Sequence, residues 1–203
     1  MKFFKWKTFA LTGIVCLIPI LFGLSMWGNL PDTVAIHFDI YGKPDNFASK
    51  GFVVFGMPAL MLLLQAICCV INDMNAKRFG ERKKFEMATK WIVPVLSVVL
   101  QLITLGYDLG WNLDIRKAVA VLVGGIFLVI GNYLPKFDRV KNMNADTEQA
   151  KKINRFIGYE TVVMGLLFVI SIFLPPQASV ACIFLLVPYA IIAIAYGIIV
   201  TRK

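Results

Sequence analysis

An all-α integral membrane protein with six transmembrane helices, cytoplasmic N- and C-termini and an ordered extracellular loop after the first helix is the fold class that this sequence predicts. Three observations predict it. Of 203 residues, 59% are hydrophobic and 16% charged, against roughly 45–50% and about 25% in soluble domains, and the mean hydropathy is +0.75. Six stretches approach the about 20 apolar residues needed to cross a ~30 Å hydrocarbon core. The 21 basic residues, set against 12 acidic ones for a net charge of +9, are segregated by connection rather than mixed along the chain. The composition excludes a soluble globular protein, and the segregation gives no reason to expect direct nucleic-acid binding.

The spans are read as Thr8–Gly28, Gly51–Asn72, Thr89–Tyr107, Ala118–Leu134, Phe156–Leu174 and Ala178–Val200, within a single membrane domain covering residues 1–203. The first follows a basic MKFFKWK segment, as a secretory signal would. It is longer than the 7–15 apolar residues of a signal core and no small-residue cleavage site follows, so it is expected to remain as the first helix. The fourth span is the shortest, and only Pro175-Pro176-Gln177 separates the fifth from the sixth, enough for a helical hairpin. The N-terminal segment, Asp73–Lys90, Lys136–Arg155 and the C-terminus together hold 17 of the 21 Lys and Arg residues; the other three connections hold Lys43, Lys50, Arg116 and Lys117. Cytoplasmic segments retain the excess of Lys and Arg, so both termini and the two basic loops are placed inside a bacterial cytoplasmic membrane.

Cys16, Cys68, Cys69 and Cys182 all fall inside predicted spans. They read as small apolar residues, and neither disulfides nor a zinc site is expected from their spacing.

The polar interruptions are the informative positions in a membrane protein. The first external loop reads NLPDTVAIHFDIYGKPDNFASK from Asn29 to Lys50, long for a connection between neighbouring helices. Leu30-Pro31-Asp32 stops the first helix and Thr33–Asp39 alternates like a short strand. Tyr41-Gly42-Lys43-Pro44-Asp45 reads as a turn, and Ser49 is placed to cap the second helix. His37, the sole histidine, lies near Asp39 and Asp45. On a strand His37 and Asp39 share a side, so these three groups are candidate ligands for a cation or small polar molecule. The competing reading is that they hydrogen-bond the loop to itself.

The pattern formed by Leu30-Pro31-Asp32, His37-Phe38, Gly42, Pro44-Asp45 and Ser49-Lys50 resembles the signature loop of the SdpI-type family of small bacterial membrane proteins. Gly131-Asn132-Tyr133-Leu134-Pro135-Lys136 is similar to that family's GNYLxK element, and Asn154-Arg155-Phe156-Ile157-Gly158 gives a third resemblance. Where family members carry an IGIRTPWTL-like stretch, this chain has the polar segment Phe137–Lys152, read as helical or mobile. The resemblance implies immunity to, or sensing of, a secreted toxic peptide or envelope-active compound. It also implies retention of a cytoplasmic ArsR-type repressor at the membrane, and no cofactor.

Lys77, Arg78, Arg82, Lys83 and Lys84 form a basic cluster beside the second span, suited to lipid headgroups or to docking such a repressor. Within the spans Glu160 is the acid to be explained. Its expected depth matches that of Asn132 and Tyr133 on the fourth span, which predicts a buried polar latch with one of these or with Arg155, or else part of a proton relay with Asp108 at the opposite face. Gln65, Gln101 and Thr104 read as interhelical contacts. Pro19, Pro58, Pro94 and Pro188 are expected to kink their helices, and Gly124-Gly125 with Gly131 to thin one face of the fourth helix.

No HExxH, P-loop, nucleophile–base pair or paired intramembrane aspartates occur, so enzymatic activity is not expected. Three classes remain open: an immunity or sensing protein, a small transporter or ion or proton channel, and a structural accessory subunit of a larger membrane complex.

Overall fold

A computed structural model describes residues 4–79, 82–136 and 147–201. The described chain runs as α1 (Trp6–Ser25), β1 (Thr33–Phe38), β2 (Pro44–Ser49), a π-helical turn (Phe52–Gly56) continuing into α2 (Met57–Phe79), α3 (Lys83–Asp108), α4 (Ile115–Tyr133), α5 (Thr147–Ile170) and α6 (Pro176–Thr201). Among the described residues six helices are long and apolar enough to cross a membrane. The protein is therefore an all-α, multi-pass membrane protein with one small sheet. Most of Phe137–Lys152 lies outside the described residues; its last part, from Thr147, is the first turn and more of α5.

The helices outrun the apolar runs, chiefly at their lysine-rich ends. The second continues to Phe79 rather than stopping at Asn72, the third starts at Lys83 rather than Thr89, and the fifth at Thr147 rather than Phe156. Hydropathy marks only the stretch suited to hydrocarbon. A helix persists beyond it because Lys, Arg, Glu and Met are good helix formers. The basic cluster is accordingly not a loop: Lys77 and Arg78 end α2, Lys83 and Lys84 begin α3, and Arg82 lies in the link. At the other ends, α1 stops at Ser25 rather than Gly28. Asp114 caps α4 through its Oδ1, which accepts the Lys117 N–H at 3.0 Å. Pro176 opens α6, a position that spends no backbone donor.

The chain forms two compact units. The first comprises residues 1–75 and 86–118: α1, the hairpin, most of α2 and nearly all of α3. Its polar residues are ordered along α3. Glu86, Lys90, Ser97, Gln101 and Thr104 are all buried, and at 100° per residue they and Asp108 fall within about 60° of arc. This stripe ties the unit together. Ser97 Oγ donates to the Cys16 carbonyl of α1 at 2.8 Å, and Gln101 Nε2 donates to the Val53 carbonyl of the π turn at 2.8 Å. The π turn bonds i to i−5, as the Met57 N–H to the Phe52 carbonyl shows, so the partner of Val53 would be residue 58. Pro58 has no N–H to give, and Gln101 supplies the missing donor. Pro94 likewise leaves the Lys90 carbonyl free, and Gln65 Nε2 donates to it at 3.0 Å.

The second unit holds residues 76–85 and 119–203. In it α4 and α5 run antiparallel with two glycine pairs at their closest approach. A methyl on Gly124 would sit 2.8 Å from the Gly165 carbonyl oxygen, and one on Gly131 would sit 2.8 Å from the Gly158 oxygen. The matching seven-residue spacing on each helix keeps both pairs in register and lets the backbones touch. Gly125 faces open space, which corrects its expected place on the thin face; it is one residue, and so 100°, away from Gly124. Thr161 and Tyr189 share a hydrogen bond at 2.9 Å between α5 and α6, beside a small core of Met164, Phe168 and Cys182.

Candidate functional site

The segment after α1 folds as an antiparallel hairpin with Thr33 opposite Ser49 and Phe38 opposite Pro44. The strict alternation expected of the first strand is broken, since adjacent Val34 and Ala35 are both fully buried and the register slips around His37. Bulges of this kind re-aim side chains near strand ends. Pro31 precedes β1, and Asp32 closes the hairpin base: its carbonyl accepts the Lys50 N–H at 2.9 Å and its Oδ1 pairs with Lys50 Nζ at 2.9 Å. The Lys50 ammonium also lies 5.4 Å from the Trp27 ring centre. Ser49 does cap the following helix, Oγ accepting the Phe52 N–H at 3.3 Å.

The hairpin is anchored to the end of α3. Asp108 Oδ2 accepts the Ala35 N–H at 2.9 Å, and Phe38 packs edge-on against Tyr107 with centroids 4.9 Å apart. Leu30 and Val34 join Val53, Val54 and Leu105 in a buried cluster. The end of α3 is itself fixed: Trp111 N–H returns to the Gly106 carbonyl at 2.9 Å and Gly110 N–H to Tyr107 at 3.0 Å. This double closure needs the left-handed φ of +81° that Gly110 adopts. Asp108, a candidate relay partner in the sequence, is thus occupied as the acceptor that holds the hairpin.

The three candidate ligands do not converge. His37 Nδ1 lies 2.5 Å from Asp45 Oδ1 across the strands, both exposed. Asp39 instead turns inward on its own turn, Oδ1 accepting the Tyr41 and Lys43 N–H groups at 2.8 and 2.9 Å, while Gly42 takes φ +77°. Asp39 therefore follows the loop-stabilising reading, and His37 with Asp45 makes an exposed hydrogen-bonded pair. Among the described residues no group of three His, Cys, Asp or Glu side chains is placed to hold a metal ion. The same hairpin exposes Tyr41 and Phe47, by 62% and 52%, while its Val34 and Ala35 are fully buried.

The latch between Asn132, Tyr133 and Glu160 does not form. Asn132 Oδ1 accepts Lys136 Nζ of its own helix at 3.0 Å, Tyr133 packs near Phe85 and under the Lys136 ammonium, and Glu160 Oε2 has no hydrogen-bond partner among the described residues. Equal depth did not bring them together because rotation opposes it. Gly131 and Gly158 take the facing positions of α4 and α5, which turns Asn132 about 100° and Glu160 about 200° away.

A polar cluster around Lys90, with Asp73 and Glu86 that were expected in a cytoplasmic loop, is buried in the first unit. Lys90 Nζ and Asp73 Oδ1 are 2.5 Å apart with side chains 2% and 1% exposed. Asp73 Oδ2 accepts the Lys5 backbone N–H at 3.0 Å, and Lys5 Nζ pairs with Glu86 Oε2 at 2.8 Å. Next to them Gln65 Nε2 donates to Thr12 Oγ1 at 2.7 Å, and Thr89 Oγ1 donates to Asn72 Oδ1 at 2.8 Å. Gln65 Oε1, wholly buried, has no partner among the described residues. The signal was present in the spacing: Gln65, Cys69 and Asp73 repeat every four residues, as do Glu86 and Lys90.

No curated protein and no solved structure matches the chain. One family model does match, described as a domain of unknown function (DUF1648), over residues 14–62, a segment that runs from within α1 through the anchored hairpin and the π turn into α2.

Proposed function

We propose that this protein recognises a secreted peptide or another envelope-active compound through its hairpin, as a non-enzymatic immunity or sensing protein of the SdpI type. The observation that carries this reading is the hairpin's construction. It is fixed to its unit by Asp108, Tyr107 and the Leu30–Val34–Leu105 cluster, while His37, Tyr41, Asp45 and Phe47 stand exposed. A connection that merely joined two helices needs no sheet, and an ordered loop on a rigid support is a usual place for recognition. The family match over residues 14–62 supports the hairpin and its flanking helices as the unit concerned. The segregation of Lys and Arg supports an outward-facing hairpin in a bacterial cytoplasmic membrane. Lys77, Arg78, Arg82, Lys83 and Lys84 then lie on the inner side, where a repressor of the ArsR type or anionic headgroups would meet them. The test is a killing assay with cells that carry or lack the gene, exposed to secreted material from the same species. Protection that disappears with His37→Ala/Tyr41→Ala/Phe47→Ala, at unchanged membrane levels, supports the reading, and full protection by that variant overturns it.

One observation favours a second reading, a small transporter or ion or proton channel. Ionisable groups inside spans mark translocation paths by default, and the Lys90–Asp73 pair lies beside the unpartnered Gln65 Oε1. Proton or cation flux into liposomes that Lys90→Met/Asp73→Leu abolishes would select it; absence of flux with the native protein removes it.

A further inference from the structure

The lysine-rich start of α5 and the last turns of α6 enclose a cleft of about 410 Å³, lined by Lys151, Lys152, Arg155, Phe156 and Tyr159 from α5 and Tyr196 from α6. Its floor is a ring stack: Phe156 and Tyr196 lie 4.0 Å apart at 20°, which half-buries both. The same cleft is lined by three cations of α5 between residues 151 and 155. Glu148 also lines the rim, so the charge of the lining is three positive against one negative. Cations over an aromatic floor select an anion with an organic body rather than a cation or a neutral sugar.

The face below the cleft decides what the anion is attached to. Lys152, Arg155, Tyr159, Val163, Leu166 and Ile170 are spaced three or four residues apart and are all exposed, so they form one continuous stripe along α5. Its upper third is cationic, Tyr159 stands at the boundary with 62% of its surface exposed, and Val163, Leu166 and Ile170 below are 54%, 46% and 50% exposed. From Arg155 to Ile170 the stripe runs about 22 Å at 1.5 Å per residue, which exceeds half of a ~30 Å hydrocarbon core and so spans one leaflet. A soluble phosphate would use the cations and have no use for the apolar track. A lipid uses both, with its phosphate between the cations, its glycerol region at Tyr159 and an acyl chain along the track.

We propose that this cleft is a binding site for the phosphate headgroup of an anionic glycerophospholipid, with the acyl chain lying on Val163, Leu166 and Ile170. The site belongs to α5 and α6 alone and does not depend on the hairpin's role. It is tested on the full-length protein in detergent by native mass spectrometry, titrating phosphatidylglycerol and phosphatidylcholine with identical acyl chains. The expected result is retention of phosphatidylglycerol over phosphatidylcholine, reduced about tenfold or more by Lys152→Gln/Arg155→Gln, given the roughly one kcal/mol that each basic residue contributes near an anionic lipid. Arg155→Lys, which keeps the charge, should retain most of the preference. Arg116→Gln/Lys117→Gln, which removes the same charge from the start of α4, should change it less than twofold. Val163→Ser/Leu166→Ser should weaken phosphatidylglycerol while leaving any binding of inorganic phosphate unchanged. Equal retention of the two lipids, an equal loss in the Arg116/Lys117 variant, or displacement of phosphatidylglycerol by inorganic phosphate alone would each overturn the proposal, the last by making it a soluble-anion site.

Discussion

The side-chain amide of Gln65 donates to the backbone carbonyl of Lys90 at 3.0 Å, the carbonyl that Pro94 leaves without its helical partner. The arrangement is reciprocated. Gln101 of α3 donates to Val53 at 2.8 Å, the carbonyl that Pro58 leaves free in the π turn before α2. Each helix thus carries a proline that breaks its own ladder and a glutamine that repairs its neighbour's. In hydrocarbon an unmet carbonyl is far more costly than in water, so the two repairs fix both the distance and the rotation of α2 against α3.

Removing a repair should therefore be rescued by removing the break. Gln101→Leu should destabilise the protein by about 1–3 kcal/mol, the cost of a buried acceptor without a donor, and Pro58→Ala should recover most of that loss by restoring a backbone N–H. A double-mutant cycle on thermal unfolding in detergent measures the coupling. Additive effects of the two substitutions would show that Gln101 does not act through the Val53 carbonyl.

The buried Lys90–Asp73 pair should behave asymmetrically. Asp73→Leu alone leaves an ammonium uncompensated in the interior, and losses of about 3–5 kcal/mol are typical of such breaks. Lys90→Met/Asp73→Leu should be close to the native protein in stability, because a well-packed apolar pair avoids desolvating two charges. Guanidinium or thermal unfolding of the three proteins decides this; a double variant no better than Asp73→Leu would place the requirement in the other members of the cluster.

Glycines on different faces of α4 should differ sharply. A methyl at Gly131 would lie 2.8 Å from the Gly158 oxygen, whereas at Gly125 nothing stands within 4 Å. Gly131→Ala should cost about 1–3 kcal/mol through overpacking, and Gly125→Ala should be neutral or slightly stabilising through helix propensity. Melting temperatures of the two variants in the same detergent are the check, and equal shifts would contradict the packing described for α4 and α5.

The hairpin's anchor is testable apart from any ligand. Asp108→Ala removes the acceptor of the Ala35 N–H, so amide exchange across residues 33–49 should rise while the centres of α2 and α3 keep their protection. Unchanged exchange in the hairpin would mean that the Leu30–Val34–Leu105 cluster holds it without Asp108.

What the sequence disclosed follows from how each feature is encoded. The six spans, the turn around Gly42 and the Ser49 cap are local, written in hydropathy and turn chemistry within a few residues, whereas α1 ends at Ser25, before the Leu30-Pro31-Asp32 stop. The second strand was missed because PDNFAS carries no apolar alternation; it is made by pairing with Thr33–Phe38 rather than by its own propensity. Asp73 and Glu86 were assigned to a loop because a hydropathy window stops at the first charge, yet the four-residue spacings Cys69–Asp73 and Glu86–Lys90 already placed each on a single helix face. The Asn132–Glu160 latch failed for the complementary reason: counting residues gives depth in a membrane, and only the facing glycines give rotation.

Recognition through the hairpin is tested most directly by protection from killing, measured as survival of cells exposed to concentrated secreted material from the same species. Cells producing the native protein should survive where cells lacking it die. His37→Ala/Tyr41→Ala/Phe47→Ala, which leaves Asp108, Asp39 and the buried cluster intact, should lose that protection at the same membrane abundance. Survival of the variant cells equal to that of the native would contradict recognition by the hairpin.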